Sequence, residues 1–240
     1  GLGSQFSIKT PDFAFDIESG VFNASNKERS NEVMGFEIVA RTKELHQLRE
    51  FVSEQGSGFL YLRGRRRVGK STLLKKLAQT HPLVFYFFGT QKASSKSIIR
   101  DFSIAFEKIK KNTQSPTDLS ELKENVINWT RIFKTVGQFA INQKQPVTLI
   151  FDEIQWLAAG KSGLIERIKE AWLDWEAGKK IKVIICGSSN RFFDENVGGE
   201  EKILRGLKTT ADIWIKPFSP RILKKYYFPK WNDQEILLTM

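Results

Sequence analysis

Residues 64–71 read Gly64-Arg65-Arg66-Arg67-Val68-Gly69-Lys70-Ser71, which fits the pattern G-x-x-x-x-G-K-[ST]. Glycines in such a loop let the backbone turn and approach a phosphate closely, so that its N–H groups point inward. The lysine reaches the terminal phosphates, the serine hydroxyl holds Mg²⁺, and a helix starting at Thr72 adds its positive dipole end. The pattern predicts a P-loop for ATP or ADP with Mg²⁺; the chain has no Asn-Lys-x-Asp segment, which favours ATP over GTP.

Three consecutive arginines, Arg65, Arg66 and Arg67, occupy the middle of this loop. Each one alone is most simply a solvated residue of a loop tip. Together they lie beside a polyphosphate and raise the local positive potential. A nucleic-acid patch is a third interpretation.

A second candidate segment is the apolar run Val147–Phe151, which ends in Asp152 and Glu153. In a P-loop protein, an aspartate at the end of such a strand holds Mg²⁺ through its water shell. The neighbouring glutamate can orient and deprotonate an attacking water. We therefore predict Asp152 and Ser71 as metal-binding residues, with Glu153 and Lys70 as catalytic residues.

A third apolar run, Ile181–Cys186, leads into Gly187-Ser188-Ser189-Asn190. A polar side chain at the tip of a central strand can contact the attacking water or the γ-phosphate, and Ser189 or Asn190 is predicted to do so. Serine and asparagine also favour helix N-caps, which is the alternative. In both interpretations the Cys186 thiol is buried.

Short apolar runs alternate with helical patterns along the chain, which predicts an α/β fold: a parallel five-stranded sheet with helices on both faces. The long segment Gln91–Gln145 is interpreted as a helical insertion. The predicted strands are Phe59–Leu62, Leu83–Phe88, Val147–Phe151, Ile181–Cys186 and Asp212–Ile215. The predicted helices are Thr42–Ser53, Ser94–Lys111, Leu119–Asn142, Gly163–Glu176 and one that begins in Ser219–Phe228.

These patterns divide the chain into three parts. Residues 1–34 are polar and aperiodic and are predicted to form an arm, of which Gly1-Leu2-Gly3-Ser4 looks like a cloning remnant. Residues 35–218 form the predicted ATPase domain. Residues 219–240 are interpreted as the truncated start of a lid or C-terminal helical region.

Composition narrows the class of protein. The 240 residues are 40% hydrophobic and 27% charged, and no apolar run approaches the roughly 18 residues of a membrane span. One cysteine cannot form an internal disulfide, so a cytoplasmic location without membrane contact is expected. The net charge of +11 favours an anionic partner, which ATP, nucleic acid or anionic lipid would each satisfy. Neither histidine has a partner at metal-ligand spacing.

Four stretches resemble the archaeal ATPase family of P-loop proteins, a branch near the STAND and AAA+ proteins. Residues 36–45 are similar to its F-V-G-R-x-x-E-L motif, and 64–71 to its G-R-R-R-V-G-K-[ST]. Residues 149–157, L-I-F-D-E-I-Q-W-L, resemble its Walker B strand, and 185–189 its C-G-S-S sensor strand. The resemblance implies a RecA-like or AAA+-like sheet in which the P-loop strand is central, flanked by the Walker B and sensor strands.

The resemblance also implies that Ile38, Val39 and Arg41 lie near the adenine. Two positions depart from the family pattern. Ala40 replaces a glycine, and Leu207 stands where the family tends to have the arginine of L-Y-G-R. Arg205, Lys208 or Arg191 would then have to replace that arginine.

Three functions follow as expectations. The first is Mg²⁺-dependent ATP binding and hydrolysis that drives a conformational switch. The second is a nucleotide-gated scaffold with little turnover, and the third is a DNA-associated AAA+-like ATPase. A homo-oligomer and a protein partner bound through the helical insertion are the further interactions that the sequence leaves open.

Overall fold

A computed structural model describes residues 40–91, 95–111, 128–159, 162–178, 180–196, 209–226 and 228–237. Several sequence-based expectations lie outside these ranges. They are the N-terminal arm, the adenine contacts Ile38 and Val39, and the residues Arg205, Leu207 and Lys208.

Five parallel strands form one sheet in the order β2-β3-β4-β1-β5. The five-stranded parallel sheet is therefore confirmed. The implied placement of the Walker B strand beside the P-loop strand is wrong, because β4 lies between them and is the middle strand. The strands are β1 (Gly58–Arg63), β2 (Val84–Phe88), β3 (Val147–Asp152), β4 (Ile181–Gly187) and β5 (Thr209–Trp214).

Helices connect and cover the strands. In the described ranges they are α1 (Thr42–Ser53), α2 (Lys70–Thr80), α3 (Ser95–Lys111), α4 (Trp129–Ile141), α5 (Ile154–Leu157), α6 (Leu164–Gly178), α7 (Asn190–Asn196), α8 (Pro220–Tyr226) and α9 (Asp233–Leu237). The predicted helix at 42–53 is confirmed at both ends, and those at 94–111 and 163–176 to within two residues.

The predicted helix Leu119–Asn142 starts too early. Asn128 is extended, and its side chain accepts a hydrogen bond of 3.1 Å from the backbone N–H of Arg131. This is the N-cap geometry that asparagine favours, and it starts α4 at Trp129. The predicted residues 119–127 lie outside the described ranges.

The two faces of the sheet carry two separate cores, because side chains alternate along each strand. One face is aromatic and packs against α3, α4, α5, α6 and α7, and the other is mostly aliphatic and packs against α1 and α2. Trp129, Trp172 and Trp175 belong to the aromatic core.

The described helices of the insertion are part of this aromatic core. The Phe106 ring of α3 stacks on Phe85 of β2 at 5.6 Å, and Phe133 of α4 meets Trp175 of α6 at 5.0 Å. Phe102 and Phe106 of α3 and most of the apolar side chains of α4 are therefore buried within the domain. No helix in the described ranges has both the length and the apolar character needed to span a membrane.

Candidate functional site

The P-loop connects β1 to α2 through three residues with positive φ. These are Gly64 (φ 149°), Arg67 (φ 64°) and Gly69 (φ 95°). A Cβ atom at Gly64 would overlap the carbonyl oxygen of Ile215. The position of Ile215 is held by its backbone N–H, which donates to the Arg63 carbonyl at 2.7 Å. Glycine at position 64 is therefore required by close backbone packing, and glycine at 69 by its left-handed backbone. A phosphate-binding loop needs glycine at such positions, where its backbone turns tightly.

Lys70 lies at the start of α2 with only 4% of its surface exposed. Its ammonium donates to the carbonyl oxygens of Gly64 and Arg65, both at 2.7 Å. A buried ammonium needs such partners, and here the loop itself provides them. Ser71 is partly buried on the first turn of α2, and Thr72 after it is exposed.

Asp152 is fully buried at the end of β3. Its Oδ1 accepts from the N–H of Glu153 at 2.9 Å, and its Oδ2 accepts from the hydroxyl of Tyr86 at 2.6 Å. Burial raises the pKa of Tyr86 well above its ordinary value, and the charge of Asp152 adds to the effect. Tyr86 therefore stays protonated and keeps donating to this carboxylate.

Glu153 follows in a left-handed conformation, with φ 51° and ψ 49°. Such a backbone is uncommon for a non-glycine residue and costs roughly 1–3 kcal/mol, which the surrounding structure must offset. The Glu153 carboxylate accepts hydrogen bonds from the Gln155 amide and from the Ser188 hydroxyl, the latter at 3.2 Å. The left-handed turn thus separates two adjacent carboxylates, with Asp152 buried and Glu153 directed to the loop after β4.

The loop after β4 gives its two serines different partners. Ser188 donates to Glu153 and lies 3.5 Å from the Nε of Arg66, whereas Ser189 accepts from the N–H of Phe192 at 3.2 Å. Ser189 is therefore an N-terminal cap of α7, the alternative that the sequence left open. Asn190 is the first residue of α7, and its side chain is outside the described part. Sequence reasoning missed Ser188, although it is the first polar residue after the strand.

Arg41 is buried between α1, the P-loop and the segment after β5. Its guanidinium donates to the Glu44 carboxylate at 3.0 Å, to the Val68 carbonyl at 3.2 Å and to the Lys216 carbonyl at 2.5 Å. The guanidinium also lies 4.0 Å from the centre of the Phe218 ring. The structure therefore places Arg41 against the P-loop, while its predicted proximity to adenine stays a prediction.

The family pattern has an arginine where this chain has Leu207, and Arg191 is the one candidate to replace it that lies in the described ranges. It is exposed on α7 and pairs with Glu195 of the same helix at 2.6 Å. Arg191 is thus already engaged away from Glu153.

Two further expectations concern Cys186 and the metal. Cys186 is buried, and burial raises the pKa of its thiol well above the ordinary value, with the charge of Asp152 adding to the shift.

No cluster of three or more His, Cys, Asp or Glu side chains able to hold a metal occurs within the described ranges. One carboxylate and one hydroxyl still suit Mg²⁺, which keeps several waters and takes its other ligands from phosphates. The oxygen donors of Asp152 and Ser71 therefore fit a Mg²⁺ that arrives with a nucleotide.

A sequence model described as an ATPase domain predominantly from Archaea matches residues 38–230. The chain belongs to this family. An uncharacterized ATP-binding protein of Methanocaldococcus jannaschii is 23% identical, with the match covering 79% of this chain and 63% of that protein. Residues 38–230 are accordingly an archaeal-type P-loop ATPase domain.

Solved structures show the same fold. A Walker-type ATPase of Pyrococcus abyssi aligns with a TM-score of 0.61 at 21% identity, covering 84% of this chain and 62% of that one. Cdc6p of Pyrobaculum aerophilum aligns with a TM-score of 0.54 at 15% identity, covering 79% and 48%. This chain therefore spans less than two thirds of the length of these relatives.

Proposed function

We propose that this domain hydrolyses Mg·ATP, with Glu153 as the general base and Ser188 as its partner at the sensor position. The observation that carries the proposal is the position of the Glu153 carboxylate, which is turned out of the β3 strand and hydrogen-bonded to Ser188 at the end of β4. A general base must lie within hydrogen-bond reach of the water that it activates. A water that enters between Glu153 and Ser188 would meet this condition.

The other residues of the site hold the substrate. The Lys70 ammonium would exchange the carbonyls of Gly64 and Arg65 for oxygens of the β- and γ-phosphates. Ser71 and Asp152 would hold Mg²⁺, which neutralises charge on the phosphates when bound. Tyr86 keeps the Asp152 carboxylate in place. Phosphoryl transfer to water needs little more than such positioning and charge stabilisation.

We further propose that nucleotide binding is coupled to the C-terminal helices through Arg41. This side chain bonds both the Val68 carbonyl of the P-loop and the Lys216 carbonyl, which lies between β5 and α8. A shift of the loop around a γ-phosphate would change both hydrogen bonds together. The conformational switch would then act on the region that begins at residue 219.

The first experiment measures phosphate release from Mg·ATP over a range of protein concentrations. We expect the wild type to release phosphate and Lys70→Ala to release none. Lys43→Ala is the control and should keep the activity, since Lys43 is an exposed lysine on α1. Linear dependence on concentration would mean a self-sufficient site. A steeper dependence would mean that a second copy completes the site. Bound nucleotide without phosphate release would overturn the proposal in favour of a nucleotide-gated scaffold.

Tyr86→Phe should weaken the use of Mg²⁺. The change removes the 2.6 Å hydrogen bond to the buried Asp152 carboxylate, and a hydrogen bond to a charged group contributes about 1.5–3 kcal/mol. We expect the Mg²⁺ concentration for half-maximal activity to rise about tenfold or more, with the affinity for metal-free ADP nearly unchanged. Tyr226→Phe, at an exposed tyrosine of α8, is the matched control. An unchanged Mg²⁺ dependence would remove Tyr86 from this role.

A further inference from the structure

One arginine of the P-loop contacts the serine that donates to the candidate catalytic glutamate. Arg66 is exposed, and its Nε lies 3.5 Å from the Ser188 hydroxyl oxygen, which in turn lies 3.2 Å from a carboxylate oxygen of Glu153. The three side chains come from the P-loop, from the loop after β4 and from the turn after β3. They form a chain of polar contacts across the carboxyl edge of the sheet, where the γ-phosphate of a P-loop substrate lies.

We propose that Arg66 is a catalytic residue that places its guanidinium on the transferred phosphoryl group from within the same chain. The inference rests on the proposed ATP hydrolysis. In that reaction the water oxygen forms a bond to the γ-phosphorus, and its proton passes to the Glu153 carboxylate. The bond between the γ-phosphorus and the β–γ bridging oxygen breaks, and its electron pair stays on ADP. The products are ADP and inorganic phosphate.

The guanidinium suits this reaction because negative charge is spread over the phosphoryl and bridging oxygens in the transition state. An arginine presents several N–H donors in a planar array and matches phosphate geometry. The contact of Arg66 with Ser188 is long for a hydrogen bond and lies at the solvent-exposed surface, so little is lost when the side chain turns to a phosphate. Ser188 and Glu153 are then left to hold the water.

Two other described arginines near the loop, Arg41 and Arg191, are engaged differently. Arg41 is buried with its donors on the carbonyls of Val68 and Lys216, and Arg191 pairs with Glu195 on its own helix. Among the contacts of the described residues, it is the Arg66 side chain that reaches Ser188, the partner of Glu153. An arginine supplied in this way also explains how the site could operate with Leu207 at the position where the family pattern has arginine.

Arg66→Ala provides the kinetic test, with Arg167→Ala as control because Arg167 is exposed on α6 and pairs with Glu170. We expect kcat to fall about 10²- to 10³-fold in Arg66→Ala, with KM for Mg·ATP changing no more than a few-fold. Arg66→Lys should recover part of the activity, and guanidinium ion added to Arg66→Ala should raise its rate. The control should keep wild-type kcat and show no response to guanidinium.

A second measurement does not depend on turnover. Retention of Mg·ADP is compared with and without aluminium fluoride, which mimics the phosphoryl group in transfer. We expect aluminium fluoride to tighten ADP binding in the wild type and in Arg167→Ala but not in Arg66→Ala. The affinity of Arg66→Ala for ADP alone should match that of the wild type, which would show that the variant is folded.

Each outcome of these tests has one meaning. If Arg66→Ala keeps the turnover of the wild type, or if Arg191→Ala loses turnover instead, the inference is overturned and the proposed function stands. Absence of both turnover and the fluoride effect in the wild type overturns the proposed function and this inference with it.

Discussion

Glu153→Gln should bind ATP and release almost no phosphate. Glutamine keeps the size of the side chain and can still accept a hydrogen bond from Ser188, so the turn after β3 and the nucleotide site should persist. The amide cannot take a proton from water. Loss of a general base typically lowers a rate by about 10²- to 10⁴-fold, and we expect kcat to fall within that range.

The measurement is the ratio of ATP to ADP bound to the protein after incubation with Mg·ATP. Wild type should hold mostly ADP, and Glu153→Gln mostly ATP. Glu176→Gln removes one negative charge from an exposed position of α6 and should behave as the wild type. Turnover by Glu153→Gln within threefold of the wild type would contradict its role as base.

Two charged groups of the site, those of Lys70 and Glu153, have hydrogen-bond partners within the protein itself. The ammonium of Lys70 bonds two loop carbonyls, and the carboxylate of Glu153 bonds Gln155 and Ser188. These contacts follow from the high free-energy cost of a buried charge without a partner. A nucleotide must replace the two carbonyl contacts of the Lys70 ammonium. An attacking water must displace part of the contacts that the Glu153 carboxylate makes with Gln155 and Ser188. Binding and catalysis therefore both require local rearrangement, which is the physical basis of the proposed switch.

The residue pattern predicted the P-loop, the strands and the acidic pair because each is a local feature. An apolar run that ends in Asp152-Glu153 needs no knowledge of distant contacts. The prediction that Ser189 or Asn190 contacts the attacking water or the γ-phosphate depends on where β4 ends, which the residue pattern does not fix. The strand continues through Gly187, so Ser188 lies at the edge and Ser189 caps the next helix. A difference of one residue thus decides which serine lies at the strand end and which caps the helix.

Contacts between strands could not be predicted in the same way. The bond from Tyr86 to Asp152 requires β2 to lie beside β3, with Phe88 opposite Asp152 in the register. The alternation of strands and helices fixes a parallel sheet but not the order of its strands. The order was expected from the family resemblance alone, which placed the Walker B strand next to the P-loop strand, where the structure has β4.

Phe133→Ala should cause a large loss of stability. Phe133 is 2% exposed on α4, and its ring lies 5.7 Å from that of Trp129, 6.1 Å from Phe151 and 5.0 Å from Trp175. Removal of a buried phenyl ring costs about 3–5 kcal/mol through lost burial and the cavity that remains. We expect the free energy of unfolding measured with denaturant to fall by that amount. Leu173→Ala, 73% exposed on α6, should change it by no more than about 0.5 kcal/mol.

The stabilisation of Phe133→Ala by nucleotide shows whether the mutation changes the nucleotide site as well as the stability of the fold. Phe133 packs on the aromatic face of the sheet, whereas the P-loop helix α2 covers the opposite face. A ligand stabilises a protein according to its concentration and its affinity for the native state. Saturating Mg·ADP should therefore add the same free energy of unfolding to Phe133→Ala as to the wild type. A smaller increment would mean that the aromatic core also shapes the nucleotide site, most directly through Phe151, which immediately precedes Asp152.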